Sequence, residues 1–262
     1  MLIVLLAIVQ GVGEFLPISS SGHTLVLGTL LHADQRLPGD PLTLTIILHS
    51  GTLLALLVWF RRDLESLMRN RAIVRLVCIA CIPTALLGLL VKYKLPDLET
   101  NLVVTGVGFL LTAALLFFVL RRCQRRKPEQ TVPLTAFSWP KALLVGLVQG
   151  FAVLPGLSRS GWTITSGAAL GLDGRESAIF SFLISIPVLA GVLLLETLDL
   201  FFHSGGGPLT AEQFWLYLLG ATVSFLVGLT SLNVLMKQLA SGRLYVWSAW
   251  LVLAGLLTLC LA

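Results

Sequence analysis

Two short polar stretches in an otherwise apolar chain contain residue types that could act on a phosphate group. The first, LPISSSGH at residues 16–23, follows Glu14 and contains three serines and His23. The second, PGLSRSGWT at residues 155–163, contains Arg159 among serines. Carboxylates, hydroxyls, imidazoles and guanidinium groups bind anions and transfer protons. The function therefore depends on whether the fold brings these two stretches together.

Gln10 and Glu14 lie four residues apart and therefore share one face of a helix. A carboxylate inside a membrane costs at least about 2.5–3.5 kcal/mol and needs a partner. A divalent cation, Mg²⁺ or Ca²⁺, held by Glu14, Gln10 and water would provide one, since Mg²⁺ is often bound by one or two carboxylates plus substrate phosphates. The alternative is a structural hydrogen bond that ties the two polar stretches together.

Ser20 and His23 are three residues apart, so a helix that begins after Pro17 places both on one face. His23 could then act as base or acid toward a nucleophilic Ser20. Serine is also favoured at helix starts, which gives Ser19, Ser20 and Ser21 an alternative role as capping residues. Capping would explain the serines without explaining the histidine, so both interpretations of Ser20 stay open.

The second stretch has the composition of an anion-binding loop. Backbone N–H groups at a helix start favour a phosphate, and Arg159 can hold two phosphate oxygens at once. A salt bridge to Glu14 is the alternative role for Arg159, and it is compatible with a phosphate site once the substrate displaces it. The other residues expected to bind phosphate are Ser19, Ser21, Gly156, Ser158, Ser160 and Thr163.

The sequence around these stretches is typical of an integral membrane protein. Of the 262 residues, 56% are hydrophobic and only 12% are charged, about half the charged fraction of soluble domains. Six apolar runs have about the 20 residues that a helix needs to cross the bilayer. These runs are residues 42–60, 72–91, 102–120, 177–198, 214–236 and 244–262.

The basic residues are concentrated in alternate loops between the apolar runs. Only Arg36, Lys92 and Lys94 lie in the less basic set of loops, and Arg159 belongs to neither set. The positive-inside rule places the more basic set in the cytoplasm and both termini outside. The net charge of +5 therefore indicates topology, not nucleic acid binding. Fourteen of the eighteen basic residues form the cytoplasmic set, at residues 61–75, 121–141, 175 and 237–243.

The two polar stretches are also similar to each other. A shift of 139 residues aligns VQGVGEFLPISSSGHT (9–24) with VQGFAVLPGLSRSGWT (148–163), with seven identities in sixteen positions. Each copy precedes three apolar runs, and the loop charges give the copies opposite orientations. An inverted repeat of this kind brings two broken helices together near the bilayer midplane.

The sequence therefore predicts an all-α integral membrane protein with about six transmembrane helices and two re-entrant helical hairpins. Proline, glycine and serine break both hairpins, and irregular backbone is tolerated at membrane depth only where protein or water covers it. We expect a single membrane domain, residues 1–262, with an inverted-topology repeat. The repeats cover about 1–121 and 139–262, and their re-entrant parts are residues 1–31 and 139–172.

The chain resembles the undecaprenyl-diphosphate phosphatase family, bacterial membrane proteins linked to bacitracin resistance. The resemblance covers essentially the whole chain. It rests on QGVGE, which fits the family motif (E/Q)xxxE, on LPISSSGH, and on PGLSRSGWT, which fits PGxSRSxxT. Trp162 stands where a small residue is usual, and Thr45 stands where many relatives have an acid.

The resemblance implies hydrolysis of undecaprenyl diphosphate to undecaprenyl phosphate, which regenerates the lipid carrier of cell-wall precursors. It also implies a divalent metal and an active site on the outer side of the plasma membrane. By position, Gln10 and Glu14 match the metal and acid–base motif. Ser20 matches the proposed nucleophile, His23 its partner and Arg159 the phosphate-binding arginine. The expected partners are the lipid substrate and the bilayer; a homodimer is left open.

A transporter or flippase of a polyprenyl phosphate lipid is the main alternative. Inverted repeats with broken helices are typical of transporters, and a phosphate loop would suit such a substrate equally well. The set Glu14, Ser20 and His23 occurs in one copy only, which favours hydrolysis because transport needs neither a nucleophile nor a proton carrier. An intramembrane serine protease is less well supported, because no histidine from another helix is paired with the serines.

Overall fold

The computed structural model describes residues 1–32, 41–123, 130–202 and 210–262, which form helices and turns without a β-strand. A π-helical turn, Leu115–Leu120, continues the helix that begins at Leu102 and leads to Cys123. The principal helices of the described chain are α1 Leu2–Gly13, α2 Ser20–Leu31, α3 Pro41–Met68, α4 Arg71–Lys94, α5 Leu102–Ala114, α6 Trp139–Phe151, α7 Arg159–Ala169, α8 Gly174–Phe202, α9 Ala211–Ala240 and α10 Trp247–Leu261.

Six helical stretches are long and apolar enough to cross a bilayer, and the predicted count is thereby confirmed for the described chain. The protein is an all-α integral membrane protein. Most stretches exceed their predicted apolar runs because charged residues such as Arg61 continue the same helix. The stretches are Leu42–Glu65, Arg71–Lys94, Leu102–Cys123, Gly174–Phe202, Ala211–Ala240 and Leu244–Leu261. Four residues used in the charge argument lie outside the described residues: Arg36, Arg125, Arg126 and Lys127.

Two pairs of short helices are interrupted where the sequence predicts breaks. The first segment, residues 14–19, separates α1 from α2, and the second segment, residues 152–158, separates α6 from α7. Each segment contains a proline, Pro17 or Pro155, whose missing N–H and fixed ring disfavour a continuous helix. Both pairs are helical hairpins; their re-entry from one membrane face stays a prediction.

Each hairpin packs against the other half of the chain. α1 contacts α9 and α6 contacts α4, and α4 and α9 are equivalent under the 139-residue shift. In both hairpins the close approach of the helices requires a glycine, Gly11 in α1 and Gly150 in α6. A Cβ at Gly11 would lie 2.9 Å from the carbonyl O of Ser224, and a Cβ at Gly150 would lie 2.6 Å from Leu87 Cδ1. An inverted repeat would produce this exchange of partners, while the repeat boundaries stay a prediction.

Buried aromatic rings pack the first segment against two long helices. Phe15, which follows Glu14 in sequence, is fully buried. Its ring lies edge-on to Phe182 of α8 at 5.8 Å between centroids, and Phe182 also contacts Phe60 of α3 at 5.5 Å. Such aromatic pairs contribute beyond the area that they bury. The polar segment is thus fixed to the two long helices α3 and α8.

Candidate functional site

The first segment ends at Ser19, which caps α2 and also contacts the second segment. Ser19 has a φ of +69°, a left-handed value that costs about 1–3 kcal/mol in a residue other than glycine. Its Oγ accepts hydrogen bonds from the Gly22 N–H at 3.3 Å and from the Gly156 N–H at 3.1 Å. The second bond joins the two hairpins, so the strained residue links the two halves of the site.

The second segment lies directly against the first segment and α5. Gly156 has a φ of +85°, and a Cβ there would lie 2.1 Å from the carbonyl O of Thr105. Ser158 caps α7, its Oγ accepting a backbone N–H at 3.2 Å. Ser160 Oγ donates to the carbonyl O of Leu16 at 3.3 Å. The two polar stretches that are similar in sequence are therefore adjacent in the fold.

Glu14 is the centre of the site and is only 5% exposed. Its Oε2 accepts hydrogen bonds from Gln10 Nε2 at 3.0 Å and from Ser20 Oγ at 2.9 Å. Its Oε1 accepts a hydrogen bond from Arg159 Nη2 in a buried ion pair. Ser20 and Arg159, one from each half of the chain, thus reach the same carboxylate. The Glu14–Arg159 salt bridge, named above as an alternative, is present.

Arg159 has unused hydrogen-bonding capacity at this site. Its Nη1 is buried without a hydrogen-bond partner among the described residues. An arginine does not lose its charge by deprotonation, and a buried donor without an acceptor is costly. A phosphate oxygen is an acceptor that suits the planar guanidinium group. The arrangement can therefore bind an anion beside Glu14.

His23 lies at the edge of the site and does not pair with Ser20 in this structure. Its Nδ1 is 2.9 Å from the carbonyl O of Ser19, so Nδ1 carries the proton. Its Nε2 accepts a hydrogen bond from Trp250 Nε1 at 2.9 Å, and the two rings are stacked. Both ring nitrogens are engaged, and the basic group that contacts the Ser20 hydroxyl is Glu14.

His49 of α3, which from sequence could either line the site or be a satisfied core histidine, lies beside Glu14. Its Nε2 lies 4.0 Å from Glu14 Oε2. Its Nδ1 bonds to the carbonyl O of Thr45 at 3.0 Å, which leaves Nε2 directed towards the carboxylate. A histidine inside an apolar run was the available sequence signal, but only the packing of α3 against α1 brings it to Glu14.

Two of the predicted phosphate-binding residues, Ser21 and Thr163, have hydrogen-bond partners other than Glu14. Ser21 is exposed, and its Oγ is 3.4 Å from Ser19 Oγ. Thr163 Oγ1 is buried, donates to the carbonyl O of Arg159 at 2.8 Å and lies 2.5 Å from Ser181 Oγ. Thr163 therefore fastens the first turn of α7 to α8.

The chain is similar to a well-defined group of proteins along nearly its whole length. The sequence model of the family described as bacitracin resistance protein BacA matches residues 3–257. An undecaprenyl-diphosphatase of Rhodopirellula baltica is 38% identical over 260 residues, which cover 99% of this chain and 96% of the relative.

Two further relatives carry the same name. The undecaprenyl-diphosphatase of Desulfosudis oleivorans is 36% identical and covers 98% of this chain, with 96% of the relative aligned. That of Korarchaeum cryptofilum is 34% identical and covers 98% of this chain, with 97% of the relative aligned. The similarity therefore includes both hairpins and all six apolar stretches.

Proposed function

The chain belongs to the bacitracin resistance protein BacA family, and we propose that it hydrolyses undecaprenyl diphosphate to undecaprenyl phosphate and inorganic phosphate. This reaction returns the lipid carrier to peptidoglycan and other cell-wall synthesis and gives resistance to bacitracin. The observation that carries the proposal is the Glu14 carboxylate, which binds Ser20 from one half and Arg159 from the other. A hydroxyl paired with a base beside a phosphate-binding arginine suits phosphoryl transfer better than transport.

In this proposal the diphosphate lies against Arg159 and the start of α7. The free Nη1 group provides a donor for a phosphate oxygen, and backbone N–H groups at a helix start add to the positive potential. Arg159 neutralises charge that develops on the transferred phosphoryl group, which is the main contribution of a protein to this reaction. Glu14 holds the guanidinium in place through Nη2 until the substrate is bound.

The proton of the nucleophile passes to Glu14 in our proposal. The Ser20 hydroxyl already donates to Glu14 Oε2 at 2.9 Å, so the acceptor is in place. If Ser20 attacks, its Oγ bonds to the terminal phosphorus, undecaprenyl phosphate leaves, and water then releases the phosphate from serine. If water attacks directly, Glu14 takes its proton and Ser20 orients it. His23 can assist either route only after its bond to Trp250 is broken.

We propose Mg²⁺ or Ca²⁺ as the cofactor, held by Glu14 and Gln10. The described residues contain no group of three or more His, Cys, Asp or Glu side chains suited to a metal, so the protein supplies few ligands. Gln10 donates its amide N–H to Glu14, which leaves its carbonyl oxygen for a cation. This set fits Mg²⁺ bound partly by substrate phosphates and water. The ion would supply positive charge that the neutral Glu14–Arg159 pair lacks.

The direct test of the proposed function is phosphate release from undecaprenyl diphosphate by the purified full-length protein in detergent with Mg²⁺ or Ca²⁺. The wild type should turn over, and Glu14→Gln should lose about 10²–10⁴-fold in rate because the base is removed. Glu65→Gln is the matched control, since the Glu65 side chain is 70% exposed and pairs only with Arg69 in the described structure. A wild-type protein without turnover, or a fully active Glu14→Gln, would refute the proposal.

We also propose that the site faces the outer side of the plasma membrane, with both termini outside. The support is the distribution of basic residues between the loops. Gln130 and Glu212 are exposed residues that this topology places on opposite sides. In a cysteine-free background, an impermeant thiol reagent should label Glu212→Cys and not Gln130→Cys in intact cells. The reverse pattern would contradict the orientation.

A further inference from the structure

Thr112 of α5 is fully buried, and its hydroxyl group is bonded to three groups in and beside the second segment. Thr112 Oγ1 donates to the carbonyl O of Gly156 at 3.1 Å and accepts from the Ser158 N–H at 3.2 Å. It also accepts from Trp162 Nε1 at 3.0 Å. A hydroxyl has one donor and two lone pairs, so these three bonds use its whole capacity.

The face of α5 that carries Thr112 follows the backbone of the second segment closely. Thr105, Gly108 and Thr112 are spaced by three and four residues and therefore share one face. A Cβ at Gly108 would lie 2.7 Å from the carbonyl O of Pro155, and a Cβ at Gly156 would lie 2.1 Å from that of Thr105. The segment is thus pressed against α5, and Thr112 supplies its hydrogen bonds there.

We propose that Thr112 is a positioning residue for Arg159. Ser158, whose N–H is held by Thr112, caps α7 and directly precedes Arg159. A shift of Ser158 therefore moves the guanidinium group relative to Glu14 and the substrate. The inference rests on the proposed phosphate role of Arg159. Misplacing a binding group by about 1 Å can cost about 100-fold in rate.

Trp162 forms the third bond to Thr112. This bond gives the tryptophan a role at a position where the motif usually has a small residue. Trp162 lies three residues after Arg159, and its indole N–H ties the first turn of α7 to Thr112. Phenylalanine at this position would keep the ring and lose the bond. Trp162 is therefore expected to act through the same hydroxyl, with a smaller effect.

The test compares steady-state kinetics of variants with undecaprenyl diphosphate as substrate. Thr112→Val keeps the shape and removes the hydroxyl, and it should lower kcat/KM by about 100-fold, with KM raised as well as kcat lowered. Trp162→Phe should lower kcat/KM by about tenfold, which corresponds to the free energy of one hydrogen bond. Thr112→Ser keeps the hydroxyl and should restore most of the activity. Thr258→Val is the matched control, because Thr258 is equally buried but bonds only within its own helix.

The pattern of the kinetic constants separates positioning from loss of folded protein. A variant that is merely less stable would show a lower kcat with an unchanged KM, and that result for Thr112→Val would overturn the inference. Normal kinetics of Thr112→Val beside an impaired Arg159→Lys would also overturn it, while leaving the phosphate role of Arg159 intact. Full activity of Arg159→Ala would instead refute the proposed site itself.

Discussion

The first and second segments occupy equivalent places in two similar halves of the chain, yet they carry opposite chemistry. Glu14 aligns with Val153, and Ser20 aligns with Arg159. The first segment and the start of α2 supply a carboxylate and a hydroxyl, and the start of α7 supplies a guanidinium that bonds to that carboxylate. Two similar stretches thus meet at one site, and in our proposal the first copy binds the cation while the second binds the anion.

The residues after the two segments extend the comparison. His23 aligns with Trp162, and each ring forms a hydrogen bond to a spanning helix of the opposite half of the chain. His23 accepts from Trp250 of α10, whereas Trp162 donates to Thr112 of α5. Both rings are therefore fixed by hydrogen bonds to other helices, although one is an imidazole and the other an indole.

Removal of divalent cations should have the largest effect on activity. The buried Glu14–Arg159 pair is neutral overall, so a bound diphosphate needs additional positive charge. Excess chelator should abolish phosphate release, and added Mg²⁺ or Ca²⁺ should restore it. The same chelator saturated with Mg²⁺ is the control. Full turnover in excess free chelator would contradict a metal held by Gln10 and Glu14 and, with it, the proposed division of roles.

Substitution of Arg159 should have the next largest effect. Arginines that stabilise the transition state of phosphoryl transfer are worth about 10³–10⁵ in rate, and Arg159→Ala should lose a comparable factor in kcat. Arg159→Lys keeps the charge but loses the planar pair of donors, so it should be nearly as damaging. Arg69→Lys is the control, because the Arg69 side chain is 79% exposed. Near-normal turnover of Arg159→Lys would show that charge alone suffices.

Ser20 and Ser21, the first two residues of α2, provide a sharper test at the end of the first segment. The N-cap of α2 is Ser19, so loss of a cap does not complicate the Ser20→Ala variant. Ser20→Ala should lower kcat by at least about 10²-fold because the hydroxyl that donates to Glu14 is lost. Ser21→Ala, at an exposed neighbour, should remain close to the wild type. Near-normal turnover of Ser20→Ala would shift the attack to a water molecule activated by Glu14.

Much of the fold and the pairing of the two segments could be predicted from the sequence. Long apolar runs define spanning helices because lipid leaves few alternatives for the backbone. The similarity between the segments indicated a shared site, and the bond from the Gly156 N–H to Ser19 Oγ lies between them at 3.1 Å. These features depend on composition and repetition, which are visible in one dimension.

The partners of individual side chains could not be predicted in the same way. The spacing of Ser20 and His23 on one helix allows them to pair, but His23 Nε2 bonds to Trp250, 227 residues away. Thr112 and His49 reach the site through the packing of α5 and α3. Such contacts depend on helix rotation and rotamer choice, which no local pattern in the sequence specifies. The chemistry was visible in residue types, and its hydrogen bonds were not.

The smallest expected effect concerns stability and again compares the two halves. Ala7 and Gly146 are equivalent under the 139-residue shift, and a Cβ at Gly146 would be 2.1 Å from the carbonyl O of Ala80. Gly146→Ala must separate α6 from α4, and overpacking of this kind costs about 1–3 kcal/mol. Ala7→Gly creates no clash; it costs about 0.5–1 kcal/mol through backbone freedom and about 0.8 kcal/mol through the loss of one buried methyl group. Thermal unfolding in one detergent should therefore show the larger drop in midpoint for Gly146→Ala, because the clash involves a carbonyl that cannot rotate away. Equal drops would mean that α6 and α4 can move apart at little cost in stability.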